Sequence, residues 1–183
     1  MTPDELYRYL LTPQGMADAR RALLGRFHAF VHVSSFAAIN DIRRDGLRPN
    51  WPGGAPPNAV YDAIGDSAVS ILCLRPLGSS EVIVSKDPPL CTLAVLGNDL
   101  PNRIGLDWSF DGCWSLAHII LETGQGRSPG DIFVEVATRR GSVVAYDGVP
   151  APLLRVCPLS APDSDPSVWP PLKSTPNDQI ARL

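Results

Sequence analysis

The 183-residue chain is poor in the residues that most often announce a site: it has three histidines, four cysteines and two methionines. The cysteines, at 73, 91, 113 and 157, show no C-x-x-C spacing, and His28, His32 and His118 form no ligand-spaced cluster, so no metal centre is expected. Cys73 and Cys157 lie inside apolar runs, where a reduced thiol behaves as a small hydrophobe. A basic excess is missing as well: 16 Lys and Arg stand against 19 Asp and Glu, for a net charge of −3. That balance disfavours nucleic-acid binding by bulk electrostatics. A local patch stays open, because Arg20, Arg21 and Arg26 lie near Arg43, Arg44 and Arg48 in sequence; the alternative is a solvated helix face. No apolar run reaches the length of a membrane span, and Asp4, Glu5 and Arg8 interrupt any signal-peptide core. The expectation is a cytoplasmic protein with no membrane partner.

A composition of 44% hydrophobic and 19% charged residues suits one globular domain with one substantial core. Thr2-Pro3 and Thr12-Pro13 each place a capping hydroxyl before a proline, which predicts two short N-terminal helices. Runs rich in Val and Ile predict strands at Val69–Leu74, Glu81–Val84, Cys91–Leu96, Ile132–Val136, Ser142–Tyr146 and Leu153–Cys157. One interior helix is expected from about Trp114 to Glu122, capped by Asp111, with Leu116, Ile119 and Ile120 as its apolar face and Thr123-Gly124 at its end. Trp108 and Trp114 flank it, as core residues or as a platform for a ring. The long Pro- and Gly-rich stretch after Leu47, containing Trp51, is either a lid over a cleft or an ordered surface loop. The result is an α+β class, with a single domain over residues 1–159 and a proline-rich tail over 160–183 that wraps the surface or is partly disordered.

The stretch richest in chemistry is His32-Val33-Ser34-Ser35, followed by Phe36, Ile39, Ile42 and Gly46-Leu47. Phe27, Phe30, Val31 and Val33 have the bias of a buried strand, on which alternation puts His32 and Ser34 on one face. Ser34 or Ser35 is placed to cap the next helix, whose apolar residues recur every three positions and which Gly46 ends. Two readings stay open here: a ligand site, or a core histidine beside a simple cap.

His-x-Ser, then Ile-x-x-Ile, then Gly-Leu resembles the opening of ADP-ribosyltransferase-fold proteins, the DarT type that modifies DNA above all, and in similar form the tRNA 2′-phosphotransferases. The resemblance continues, less specifically, through Ala68–Pro76, Asp107-Trp108, Trp114 and Val149-Pro150 to Val156. It implies a core of short, mainly antiparallel strands and NAD as substrate, held at its ribose and nicotinamide end by His32 and Ser34. The implied reaction, of the glycosyltransferase class, passes ADP-ribose to a macromolecular acceptor, nucleic acid or protein, DNA being the acceptor of the family it most resembles.

Such a reaction develops positive charge on the ribose, so a carboxylate is wanted nearby. The resemblance implies a Glu at the start of a late strand, after a flexible turn. Gly124–Gly130 supplies a turn, and Asp131 and Glu135 would share a face of the strand that follows, with Glu135 the first choice. In a second register the closing segment is Val144–Pro150, and Ser142 then stands where the Glu belongs. Arg75 or Arg48 would meet the pyrophosphate, for which guanidinium geometry is suited, and Arg127 sits in the turn. A phosphotransferase would need no such Glu but would gather Arg26, Arg48 and Arg75. Without the acid, the same scaffold implies a catalytically inactive module that binds a nucleotide or a partner protein.

Overall fold

The computed structural model describes residues 1–48, 72–76, 89–106, 111–123, 126–141 and 143–183. The expected lid, the strand at Glu81–Val84, Trp108 and Ser142 lie outside the described residues, as do the side chains of 72–76, 111–114 and 123. Helices α1 (Pro3–Leu10) and α2 (Pro13–Leu24) open the chain as expected, each on its threonine: Thr2 accepts from Glu5 N–H in a reciprocal capping box, and Thr12 accepts from Gly15 N–H. Strand β1 (Ala29–Ser35) leads through a 3-10 turn at Phe36–Ala38 into α3 (Ile39–Asp45). Neither serine caps that turn. Ser35 holds the capping position without a side-chain bond, and the Phe36 N–H is satisfied instead by the Pro89 carbonyl at 2.8 Å.

Among the described residues the remaining strands are β2 (Leu72–Pro76), β3 (Leu90–Leu96), β4 (Ile104–Gly105), β5 (Val143–Ala145) and β6 (Arg155–Val156). They join β1 in one six-stranded sheet of order β4-β5-β2-β1-β3-β6, with every pairing antiparallel. The longest ladder, β1 with β3, runs from Ala29↔Leu96 to Ser35↔Leu90. Alternation along it gives the sheet two faces. Phe30, with Leu93 and Val95 of β3, looks into the main core, which the helices complete through Leu6, Leu10, Leu23, Ile39, Ile42, Ile120 and Phe133. Ala94, with Val31 packed beside it, looks the other way, onto Cys157, Trp169 and Ala181.

The strand expected at Leu153–Cys157 is only β6, because Ala151–Leu153 is a 3-10 turn that opens after Pro150. Two helices also differ from the sequence-based expectation. The interior helix α4 (Asp111–Thr123) starts about a turn early, and its buried positions are Ala117 and Ile120, whereas Ile119 is half exposed. Residues 132–136 are not a strand but the middle of a helix, α5 (Pro129–Arg140). A strand would split Ile132, Val134 and Val136 from Phe133 and put Phe133 on the face of Glu135. A helix gathers Ile132, Phe133, Val136 and Ala137 on one side, all buried, and frees Glu135 from that side. Ser128 caps the start by accepting from Asp131 N–H, Pro129 opens the first turn, and Gly141 at φ 68° ends it.

The tail over 160–183 is ordered and wraps the sheet. Leu172 and Ile180 enter the main core and Trp169 covers the second face, its indole N–H donating to Ser164 O at 2.8 Å. Arginine side chains fasten it through neutral acceptors. Arg43 donates to Leu172 O, Thr175 O and Asn177 Oδ1, and Arg155 donates to Ser167 O and Trp169 O. Backbone pairing of Leu183 with Leu90 completes the wrap.

The turn that ends α3 is tied to the chain near Val149. Leu47 and Val149 exchange both backbone bonds, at 2.9 and 2.8 Å, so Gly46-Leu47 meets Val149-Pro150 in space. Gly46 has φ 80°, and a Cβ there would stand 2.3 Å from Val149 O. Gly46→Ala is expected to cost roughly 2–4 kcal/mol in urea unfolding, from backbone strain added to a clash with main chain. The tail has its own signature. Asp165, held by Ser167 through side chain and backbone N–H and by His28 Nε2 at 2.9 Å, has its carboxyl lowered from 3.8 to about 2. A depressed carboxylate stabilises the fold above its unfolded pKa and loses that contribution as pH falls through the folded one. The melting temperature of wild type should therefore exceed that of Asp165→Asn at pH 5, and the two should converge near pH 2.

Candidate functional site

His32 and Ser34 occupy the same face of β1 as Phe30, opposite Leu93 and Cys91 of β3. Ser34 is buried and His32 half-buried, so the pair sits at the margin of the core and not on open surface. The fold thus keeps the two together in the way alternation implies. The Gly46-Leu47 turn that follows α3 is anchored on Val149, one residue before the Pro150 of the closing segment.

The arginines divide. Arg75 is the register partner of Val31, one residue from His32, so positions 75 and 32 fall on opposite faces of the sheet. Arg48 follows the Leu47 bridge, exposed, and leans back on Asp45, reaching its carbonyl and its carboxylate at 3.3 Å each. Arg44 first, and Arg48 after it, hold the Asp45 carboxyl below its ordinary value. Arg26 stacks over Phe27 at 5.7 Å.

Glu135, expected on a strand facing His32, is on α5 instead. Arg127, from the turn before the helix, and Arg139, one helical turn on, both donate to its carboxylate, which is only 18% exposed. The Arg127 hydrogen bond, ahead of the charges of both arginines, holds its pKa below the usual carboxylate value. A carboxylate already neutralised by two guanidiniums has little field left for a developing oxocarbenium ion. Its depressed pKa also makes it a weak proton acceptor near neutrality. Asp131 is committed to the helix start, where it accepts from the Ser128 hydroxyl at 2.7 Å. The late strand that does follow a turn is β5, which begins at Val143 and pairs with both β2 and β4. The residue before it in the chain is Ser142.

Among the described residues no group of three His, Cys, Asp or Glu side chains could hold a metal ion, and no helix is long and apolar enough to cross a membrane. A concave feature lies along α2 at Leu11, Met16, Arg20 and Arg103, and its described lining does not include His32. The signal for it in the sequence is a second stripe on that helix, Pro13, Ala17, Arg20 and Leu24, beside the buried stripe Gly15, Ala19 and Leu23. The chain matches no family model, and no curated protein or solved structure is significantly similar to it.

Removing the Glu135 charge tests its role directly. Glu135→Gln is expected to destabilise the protein by roughly 0.5–2 kcal/mol at pH 7, the worth of two surface ion pairs. That penalty should shrink as pH falls through the depressed pKa, because the carboxylate's contribution is present above its unfolded pKa and lost below the folded one. Chemical denaturation at pH 7 and pH 3 reads both.

Proposed function

We propose that this chain is a binding module on an ADP-ribosyltransferase-like scaffold, one that holds a nucleotide of the ADP-ribose type without transferring it. The observation that carries the reading is the fate of the acid. The segment that would have brought Glu135 to His32 is helix α5, Glu135 is spent between Arg127 and Arg139, and strand β5 begins directly after Ser142. A serine at that position can donate or accept a hydrogen bond but carries no charge to stabilise an oxocarbenium ion.

Two features support binding. His32 and Ser34 share a face of β1, which suits recognition of a ribose by two polar groups at the edge of an apolar wall. Arg48 is the cation for the pyrophosphate: it is exposed beside the Leu47–Val149 bridge, and its contact with Asp45 is long enough to be exchanged for a phosphate. Recognition then rests on hydrogen bonds and one charge-assisted contact.

Calorimetry with ADP-ribose and with NAD tests this. One-to-one binding is expected for both, weakened about tenfold or more in His32→Ala, the scale of one lost hydrogen bond to a buried partner. Absence of binding, or binding that His32→Ala leaves unchanged, would overturn the assignment.

A further inference from the structure

The groove along α2 has a volume of about 710 Å³, within the range of small-molecule sites. Leu11, Pro13, Met16, Ala17 and Leu24 make an apolar floor, and Arg20, Arg21 and Arg103 stand around it with Asn102. The floor exists because α2 has apolar residues on two stripes. Gly15, Met16, Ala19 and Leu23 are buried, Met16 keeping 8% of its surface at the groove, while Pro13 and Ala17 are exposed.

The three arginines are not equivalent. Arg21 pairs with Asp18 at 3.0 Å and Arg103 with Asp147 at 3.3 Å. Arg20 donates through Nε and one terminal nitrogen to Leu100 O and Asn98 O, which are neutral acceptors. Those bonds fix the guanidinium at the groove without cancelling its charge, and among the described residues no carboxylate pairs with it. A half-buried cation of fixed orientation beside an apolar floor fits a ligand with an apolar body and one anionic head.

Size and composition separate that ligand from macromolecules. A volume of about 710 Å³ suits a small molecule, whereas a stable protein interface takes roughly 20–30 residues per side. Among the described residues that line it, none is aromatic. We infer that the α2 groove is a site for a small amphiphilic anion, its carboxylate or phosphate on Arg20 and its hydrocarbon on Met16, Ala17 and Leu24. This site is independent of the His32 site.

Calorimetric titration of the full chain with decanoate, decyl phosphate, decanol and inorganic phosphate, each below any micelle concentration, tests it. One-to-one binding of decanoate, decyl phosphate or both is expected, and which of them binds identifies the head group. Decanol should bind about tenfold or more weakly, since it lacks the charge-assisted contact. Ala17→Trp, at an exposed helix position, should fill the groove and abolish binding. Arg20→Gln, which keeps an amide to donate to Leu100 O, should weaken the anions about tenfold and leave decanol unchanged. The two variants fail independently, so loss of folding in one leaves the other to decide. No saturable binding of either anion, undiminished binding in a folded variant, or inorganic phosphate equalling decyl phosphate would overturn the inference.

Discussion

Helix α5 is the constraint on which the functional reading of this molecule depends. Its ends are set locally, by Ser128 and Pro129 at the start and by Gly141 in a left-handed conformation at the finish. Its middle is set by burial, because only helical spacing puts Ile132, Phe133, Val136 and Ala137 into the core together. Full burial of an Ile or Phe side chain is worth about 1.5–3 kcal/mol, more than the few tenths by which β-branched residues disfavour a helix. Once the helix must end at Gly141, the next strand begins at Val143. The residue that precedes this strand in the sequence is Ser142, and on the proposed reading its lack of charge is what matters.

The second constraint is the way the sheet is closed. A short edge strand such as β6 leaves unpaired backbone groups that invite association. Here the last 24 residues cover that edge, with Val156 N–H donating to Pro170 O, Ala181 N–H to Cys157 O and Leu183 pairing with Leu90. Because this segment is rich in proline it lacks donors for a regular strand, and arginines supply them instead. Arg43 and Arg155 point several N–H groups at its carbonyls, so it is held by side chains where a ladder cannot form.

Local signals in the sequence carried far into the fold. Thr-Pro marked both N-terminal helices, the three-residue spacing of Phe36, Ile39 and Ile42 marked α3, and Gly46 its end, because each is a contact within one turn of chain. The α+β class also followed from short Val- and Ile-rich runs between turns, whereas the antiparallel pairing was implied only by the resemblance. Residues 132–136 misled because their composition is strand-like while their spacing is helical, and Ser128-Pro129 with Gly141 was the stronger evidence. Strand β4, with two residues, is too short to leave a periodic trace. The placement of Arg75 opposite Val31 depends on register, which a sequence does not state. The arginine patch suggested by proximity in sequence was divided by the fold, Arg20 and Arg21 going to the α2 groove and Arg43, Arg44 and Arg48 to α3 and its end.

The proposal to be tested is that the chain binds a nucleotide of the ADP-ribose type and does not transfer it. The most direct measurement is incubation of the full chain with NAD labelled in its adenosine portion, together with DNA, RNA and protein acceptors, followed by recovery of each acceptor. The account predicts intact NAD and no labelled acceptor from a preparation that binds ADP-ribose. Label on any acceptor, lost in His32→Ala, would contradict it and make the chain a transferase.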